Sequence, residues 1–399
     1  MTDQSTPDLE PQVRAAARAD GEARSAGGPL VLLLGPARDA VSGVSTHLNQ
    51  LFESTLSSRF RLIQFQVGSE GRGHSRAATL RRLITSPFAF AVCLVRTRPQ
   101  IVHINTSFEP KSYWRDIVYL ALAKVMGCKV IYQVHGGALP ADFFAGRRTL
   151  TALLRRGLSW PDAVVLLARS EMAAYAEFAP RARLVHIANA VSPGEAEVRA
   201  ERNEKHRPLR IVYVGRLAAA KGVLETVEAV RILRDRGIDI YLRIAGSGPA
   251  EGEITQAIEA NRLGDRTALV GAVFGSAKKQ LWQQADVLAC PTYHREGLPY
   301  ALLEAMADSV VPVVSPVGAI PDVVQNEVNG LLVPARDAPA LANALERLAS
   351  DPPLLHRLAL AARLRVVTHY SLARMAEEFD ALYARLGGAG SRGLSRKVQ

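Results

Sequence analysis

Apolar positions in this chain of 399 residues fall into short continuous runs separated by amphipathic stretches and turn residues. Near residue 30, "PLVLLLGPARDAVSGVSTHLNQL" reads as a buried strand, a glycine-bearing turn, and a helix starting near Val44. The runs "FRLIQFQV", "IVHINT", "KVIYQVHGG", "DAVVLLA" and "RLVHIANAV" follow, alternating with helical stretches. Strands that are apolar throughout belong to a parallel sheet covered on both faces, so the pattern predicts an α/β architecture.

The rhythm lapses over "SPGEAEVRAERNEKHRP", residues 192–208, which is charged and reads as a linker. It then begins anew. "LRIVYVGRLAAAKGVLETVEAVRILRDRG" predicts strand, turn and helix, and "IDIYLRIAGSGP", "TALVGAV", "ADVLACPT" and "VPVVSPVG" supply further strands. Two doubly wound, Rossmann-like domains are therefore expected, over residues 29–191 and 209–369, facing a central cleft. Residues 1–28 are polar and alanine-rich without periodicity and read as a loose tail. In open sheets of this kind ligands bind beyond the carboxyl ends of the strands, so residues just after strands deserve the closest reading.

Composition narrows the class. Hydrophobic residues make up 48% and charged residues 22%, as in a globular protein, and the length favours two domains. Cys93, Cys128 and Cys290 form no C-x-x-C pair and leave an odd count, which argues against a disulfide framework or structural zinc and for a reducing cytoplasm. The net charge of +11 is uneven: residues 1–191 carry 23 Lys+Arg against 14 Asp+Glu, residues 192–399 carry 26 against 24. Residues 71–108 hold six arginines (Arg72, Arg76, Arg81, Arg82, Arg96, Arg98) and no acid, around the apolar "LITSPFAFAVCLV". Such a stretch suits an anionic membrane surface or an anionic lipid-linked substrate, with a core helix that has a solvated basic edge as the competing reading, and Pro87 is expected to break the run. "FFAGRRTLTALLRRGLSW" has the same character. No nucleic-acid motif accompanies the charge.

Arg216 and Lys221 bracket the turn in "VGRLAAAKGV", where two cations before a helix would hold a diphosphate. The spacing is not that of a Walker loop: Ala220 precedes the lysine and no Ser or Thr follows it. In "IAGSGP", Gly246 and Gly248 let a ligand approach the backbone. In "YHREGLPYALLEAMA", Glu296 hangs in a loop with Gly297 and Leu298, Pro299 suits a first helical turn, and Glu304 points back toward the strand ends. Carboxylates accept hydrogen bonds from hydroxyls, in which sugars are rich.

In this order and spacing, "GRLAAAKG", "EGLPYALLEAMA", "ADVLACPT", "NGLLVPARD", "NAV" (189–191) and "HGG" (135–137) resemble the glycosyltransferase family 4 domain of GT-B enzymes, over nearly all of residues 30–388. The resemblance implies transfer of a sugar from a nucleotide diphosphate donor, UDP- or GDP-linked, to a glycan or lipid-linked acceptor. It assigns Glu296 to hydroxyls of the donor sugar, Glu304 to the ribose, and Arg216 and Lys221 to the diphosphate. Backbone around Gly43, Gly297 and Leu298 would touch phosphate or sugar, and His135 would meet the donor sugar. Asp-x-Asp occurs nowhere, so no metal or other cofactor is expected. Retention at the anomeric carbon is implied, as is a C-terminal helix, 370–388, that returns to the first domain. Three positions depart from the family: Ser309 where glycine is usual, Asp322 where glutamate is, and Ala190 in place of the glycine of N-G-V.

The rival readings are a sugar-nucleotide epimerase of the same fold and a non-catalytic sugar-nucleotide sensor. Neither a signal core nor an apolar run of about 18 residues is present, which points to the cytoplasm, with room for a peripheral place on the inner face of its membrane. Nucleic acid is not expected as a partner.

Overall fold

The computed structural model describes residues 28–68, 76–192, 208–295 and 297–388. Two compact units emerge, one of residues 1–188 with 372–399, the other of 189–371.

The first unit runs β1 (Leu30–Gly35), α1 (Gly43–Glu53), β2 (Arg61–Gln66), α2 (Arg76–Thr97), β3 (Ile101–Phe108), α3 (Pro110–Val125), β4 (Lys129–Gly137), α4 (Arg148–Ser159), β5 (Ala163–Leu166), α5 (Arg169–Phe178) and β6 (Leu184–His186). Its six strands lie in the order β2-β1-β3-β4-β5-β6, all parallel. All six residues of β1 are buried, as a strand covered on both faces requires. Ser42 caps α1, its Oγ accepting from the Ser45 amide at 3.2 Å, so the helix starts within a residue of the position expected from the sequence.

Pro87 does not break the basic stretch: α2 continues through it for 22 residues. Proline forfeits one helical hydrogen bond, but Ala89, Phe90, Cys93 and Leu94 are buried beyond it and Ser86 donates to or accepts from Tyr119 at 2.7 Å just before it. Packing on both sides of the proline holds the axis together.

The second unit runs β7 (Leu209–Val214), a single 3-10 turn (Ala219–Lys221), α6 (Val223–Asp235), β8 (Ile240–Ala245), α7 (Glu251–Ala260), β9 (Thr267–Gly271), α8 (Gly275–Gln284), β10 (Val287–Cys290), α9 (Tyr300–Ala307), β11 (Val311–Val314), β12 (Leu331–Leu332), α10 (Ala338–Ser350) and α11 (Pro352–His369). Its parallel sheet has the order β12-β11-β10-β7-β8-β9. Strand order reverses between β10 and β7, the switch point at which such sheets open a ligand crevice.

Ser309 follows α9 with φ 59°, the left-handed conformation that closes helices and usually selects glycine. The turn geometry is thus retained by a serine, at a cost of about 1 kcal/mol.

The last helix, α12 (Leu372–Leu386), completes the first unit. Phe379 and Tyr383 are fully buried there; Tyr383 meets Phe60 edge to face at 5.3 Å, and its hydroxyl lies 2.8 Å from His103 Nδ1.

Candidate functional site

In the second unit the loops following β7, β8 and β10, three neighbouring strands, are tied to one another by backbone hydrogen bonds. The Leu217 amide donates to Ser247 O at 2.9 Å and the Ala250 amide to Leu217 O at 2.9 Å; the amides of Tyr293 and His294 both donate to Ala220 O, at 3.0 and 2.9 Å. Arg216 is exposed in the first of these loops and Lys221 half-buried at the end of the 3-10 turn. Lys221 therefore stands ahead of α6, not in its first turn. Gly222 caps that helix at φ 76°, where a Cβ would come within 2.3 Å of Pro291 O, so only glycine lets the cationic turn pack this closely on the loop after β10. Gly248 is constrained in the same way: its Cβ would sit 2.3 Å from Leu217 O. Gly246 adjoins it, with Gly215 O in the way of any side chain.

Pro299 is the residue before α9, and Glu304 lies in its second turn. Leu298 is buried, and its carbonyl accepts from Asn189 Nδ2 at 2.7 Å, which gives the "NAV" stretch a structural task in holding Gly297 and Leu298 in place. Glu304 Oε2 is 2.6 Å from Lys278 Nζ on α8. Tyr300, one turn before it, has its pKa raised by burial and then by the Glu304 charge. Glu296 lies outside the described residues.

In the first unit, Gly43 is exposed at the amino terminus of α1, beyond the carboxyl end of β1. His135 is the third residue from the end of β4, and its Nε2 is 2.8 Å from Asn105 Oδ1 on the adjoining strand β3. Asn105 Nδ2 donates to Leu34 O at 2.9 Å, so its oxygen is the side that receives the imidazole proton, and His135 is the Nε2–H tautomer. Gly136 and Gly137 follow with φ of 124° and 107°; a Cβ on Gly137 would clash with Phe108 O at 2.6 Å. The ring of His47, one turn into α1, meets that of His135 edge on at 5.0 Å, and His103 completes a cluster with its Nε2 2.8 Å from Gln133 Oε1. Burial lowers the pKa of His135 to about 3, with repulsion from His103 second; that of His103 is lowered to about 4, again by burial. His47 is lowered well below its ordinary value, by burial first and then by both other imidazoles. The cluster is neutral at physiological pH. Among the described residues no group of three or more His, Cys, Asp or Glu side chains is placed to hold a metal ion.

The structure thus places Arg216, Lys221, Gly246, Gly248 and Leu298 in the segments that follow three neighbouring strands of one sheet, with Glu304 in the helix after the third, while Gly43 and His135 lie after and at the end of strands of the other. Lys278 and Asn105 were missed by sequence reasoning. Lys278 sits in an amphipathic helix where any lysine is unremarkable, and Asn105 only ends an apolar run, although a polar residue there is itself a signal.

Residues 195–365 match the family described as glycosyl transferases group 1. The chain is 36% identical over 175 residues to the amylovoran biosynthesis glycosyltransferase AmsK of Erwinia amylovora, and this match spans 43% of each chain. Among solved structures, sucrose-phosphate synthase from Thermosynechococcus elongatus superposes with a TM-score of 0.73 at 21% identity, covering 91% of this chain and all of the other. Anabaena Alr3699/HepE in complex with UDP-glucose gives 0.69 at 14% identity, covering 90% of this chain and all of the other. At these identities the two structures establish the fold alone, and it is the α/β fold expected from the sequence.

Proposed function

Because residues 195–365 match the glycosyl transferases group 1 family, we propose that the protein is a retaining, metal-independent glycosyltransferase. It moves a sugar from a UDP- or GDP-sugar to a glycan or lipid-linked acceptor in polysaccharide or glycolipid biosynthesis. A relative named for amylovoran biosynthesis and a structural neighbour holding UDP-glucose support the substrate classes.

The observation that carries the reading is the trio of cross-bonded loops at the switch point of the second sheet, the first of which carries Arg216 and leads into Lys221, with Glu304 in the helix that follows the third. As the bond from sugar to phosphate breaks, negative charge collects on the departing diphosphate. Fixed cations stabilise that charge more than the starting donor, which lowers the barrier and not merely the binding energy. Backbone amides around Gly297 and Leu298 add donors, the bare backbone at Gly246 and Gly248 admits the donor, and Glu304 takes the ribose hydroxyls. Glu296 is assigned to hydroxyls of the donor sugar. His135, held neutral with its Nε2 proton committed to Asn105, presents an imidazole without net charge to the sugar, while the α1 amino terminus at Gly43 offers amides to an anion.

Replacing Arg216 and Lys221 together by alanine tests this. Two charge-assisted contacts at about 1.5–3 kcal/mol each predict a fall in kcat/KM of roughly 10²–10⁴. A chelator is expected to leave the wild-type rate unchanged. Undiminished turnover of every nucleotide sugar by the double variant would overturn the reading.

A further inference from the structure

Helix α2 is apolar on two sides. Its inner side, with Ala89, Phe90, Cys93 and Leu94, is buried on the sheet. On its outer side Ile84, Phe88, Val92 and Val95 recur at the spacing of one helical face and are 60%, 68%, 41% and 56% exposed. A helix apolar all round ordinarily has apolar neighbours on both sides.

The stripe is not isolated. Chain steps from β2 to β3, β3 to β4 and β4 to β5 all run the same way across the sheet, so right-handed crossovers place α2, α3 and α4 on one face of it. α3 packs on α2 through Tyr119, whose ring meets Phe90 at 5.0 Å, and α4 packs on α3 where Gly157 comes up against Ile117. α3 adds Trp114 and Val118 to the outer surface, 43% and 42% exposed. Single exposed apolar side chains are ordinary, but a stripe of four on one helix face, with more on the helix packed beside it, marks a contact surface.

Charge identifies the contact. Neither α2 nor α4 contains an acidic residue, while Arg81 and Arg96 on α2, and Arg148 and Arg156 on α4, are exposed. Glu109 and Asp142 are the exposed acids nearest in sequence to α3 and α4. A second copy of the chain, related by a two-fold axis, would set arginine against arginine across this face. A lipid surface bearing phosphates complements it. Among the described residues no helix is long and apolar enough to cross a membrane, so the contact is with a surface.

We propose that the outer face of α2, α3 and α4 docks on an anionic lipid bilayer, the Ile84–Phe88–Val92–Val95 stripe entering the headgroup boundary and the flanking arginines meeting lipid phosphates. This rests on the surface alone and is independent of the proposed transferase activity.

The test is co-sedimentation of the full chain with vesicles of phosphatidylcholine containing phosphatidylglycerol, against vesicles of phosphatidylcholine alone. The expected result is partition onto the anionic vesicles, with a blue shift of tryptophan emission from Trp114. F88D/V92D, checked for folding by circular dichroism, should lower the partition by at least about tenfold. R148E/R156E should lower it several-fold, as should added salt. Absence of binding to anionic vesicles, or binding that both variants leave intact, overturns the proposal. So does a concentration-dependent dimer in analytical ultracentrifugation that F88D/V92D dissolves, because a second copy would then be the occupant.

Discussion

Acid is expected to loosen the first unit well above the carboxylate range, because its histidine cluster is folded in the neutral form. In the unfolded chain each imidazole titrates near 6.5. In the folded chain His103 waits until about pH 4 and His135 until about pH 3, both because burial penalises the cation. Between pH 6.5 and 4 the unfolded state therefore binds protons that the folded state refuses, and stability falls as pH falls. Each group costs about 1.4 kcal/mol per pH unit in this window, so at pH 5 it costs about 2 kcal/mol and the pair about 4. His47 acts in the same direction. Asp116 opposes it: burial raises its carboxyl despite the Arg115 guanidinium 2.7 Å away, so the folded state gains a proton early there.

Urea titration at pH 7 and pH 5 measures the difference. Trp114 and Trp160 lie in the first unit and Trp282 in the second, so tryptophan fluorescence of a W282F variant reports the first unit alone. H103Q keeps a polar side chain between Tyr383 and Gln133 but cannot take up a proton, and should shrink the pH effect by about 2 kcal/mol. If wild-type stability changes by less than about 1 kcal/mol between the two pH values, or if H103Q leaves the change intact, the cluster is not neutral in the folded state and the argument fails.

Two further predictions concern the second unit. E304Q should weaken UDP binding, measured by calorimetry, roughly 10- to 100-fold through loss of charged hydrogen bonds to the ribose, and K278M less, since the carboxylate remains; a Kd for E304Q within about twofold of wild type would count against the assignment. The left-handed positions should respond in opposite senses: S309G is expected to gain about 1 kcal/mol of stability, whereas G222A, driven into Pro291 O, should lose about 2–3 kcal/mol and some 5–10 °C in Tm. Equal melting temperatures for the two variants would show the backbone argument to be wrong.

Much of the architecture was legible because doubly buried strands announce themselves as largely apolar runs: those around β1, β3, β4 and β7 need no partner to be recognised. Pro87 misled, since a local rule about one hydrogen bond says nothing of the tertiary packing that holds both halves of α2. β12 is two residues long and carries no periodicity. The glycines and cations after the strands could be singled out because their chemistry differs from a strand or helix interior. The partnership of Lys278 with Glu304 and of Asn105 with His135 could not, because it joins residues 26 and 30 positions apart whose proximity exists only once helices and strands are stacked.

α12 has a bearing on how the chain is made. The second unit is a single uninterrupted stretch, 189–371, while the first is closed by residues that follow it. A ribosome emits the later lobe whole before it delivers Phe379 and Tyr383, so the earlier lobe must wait, with Phe60 and His103 uncovered, until the codons of α12 have been read. A chain stalled or clipped before Leu372 would carry one finished lobe and one that lacks its keystone.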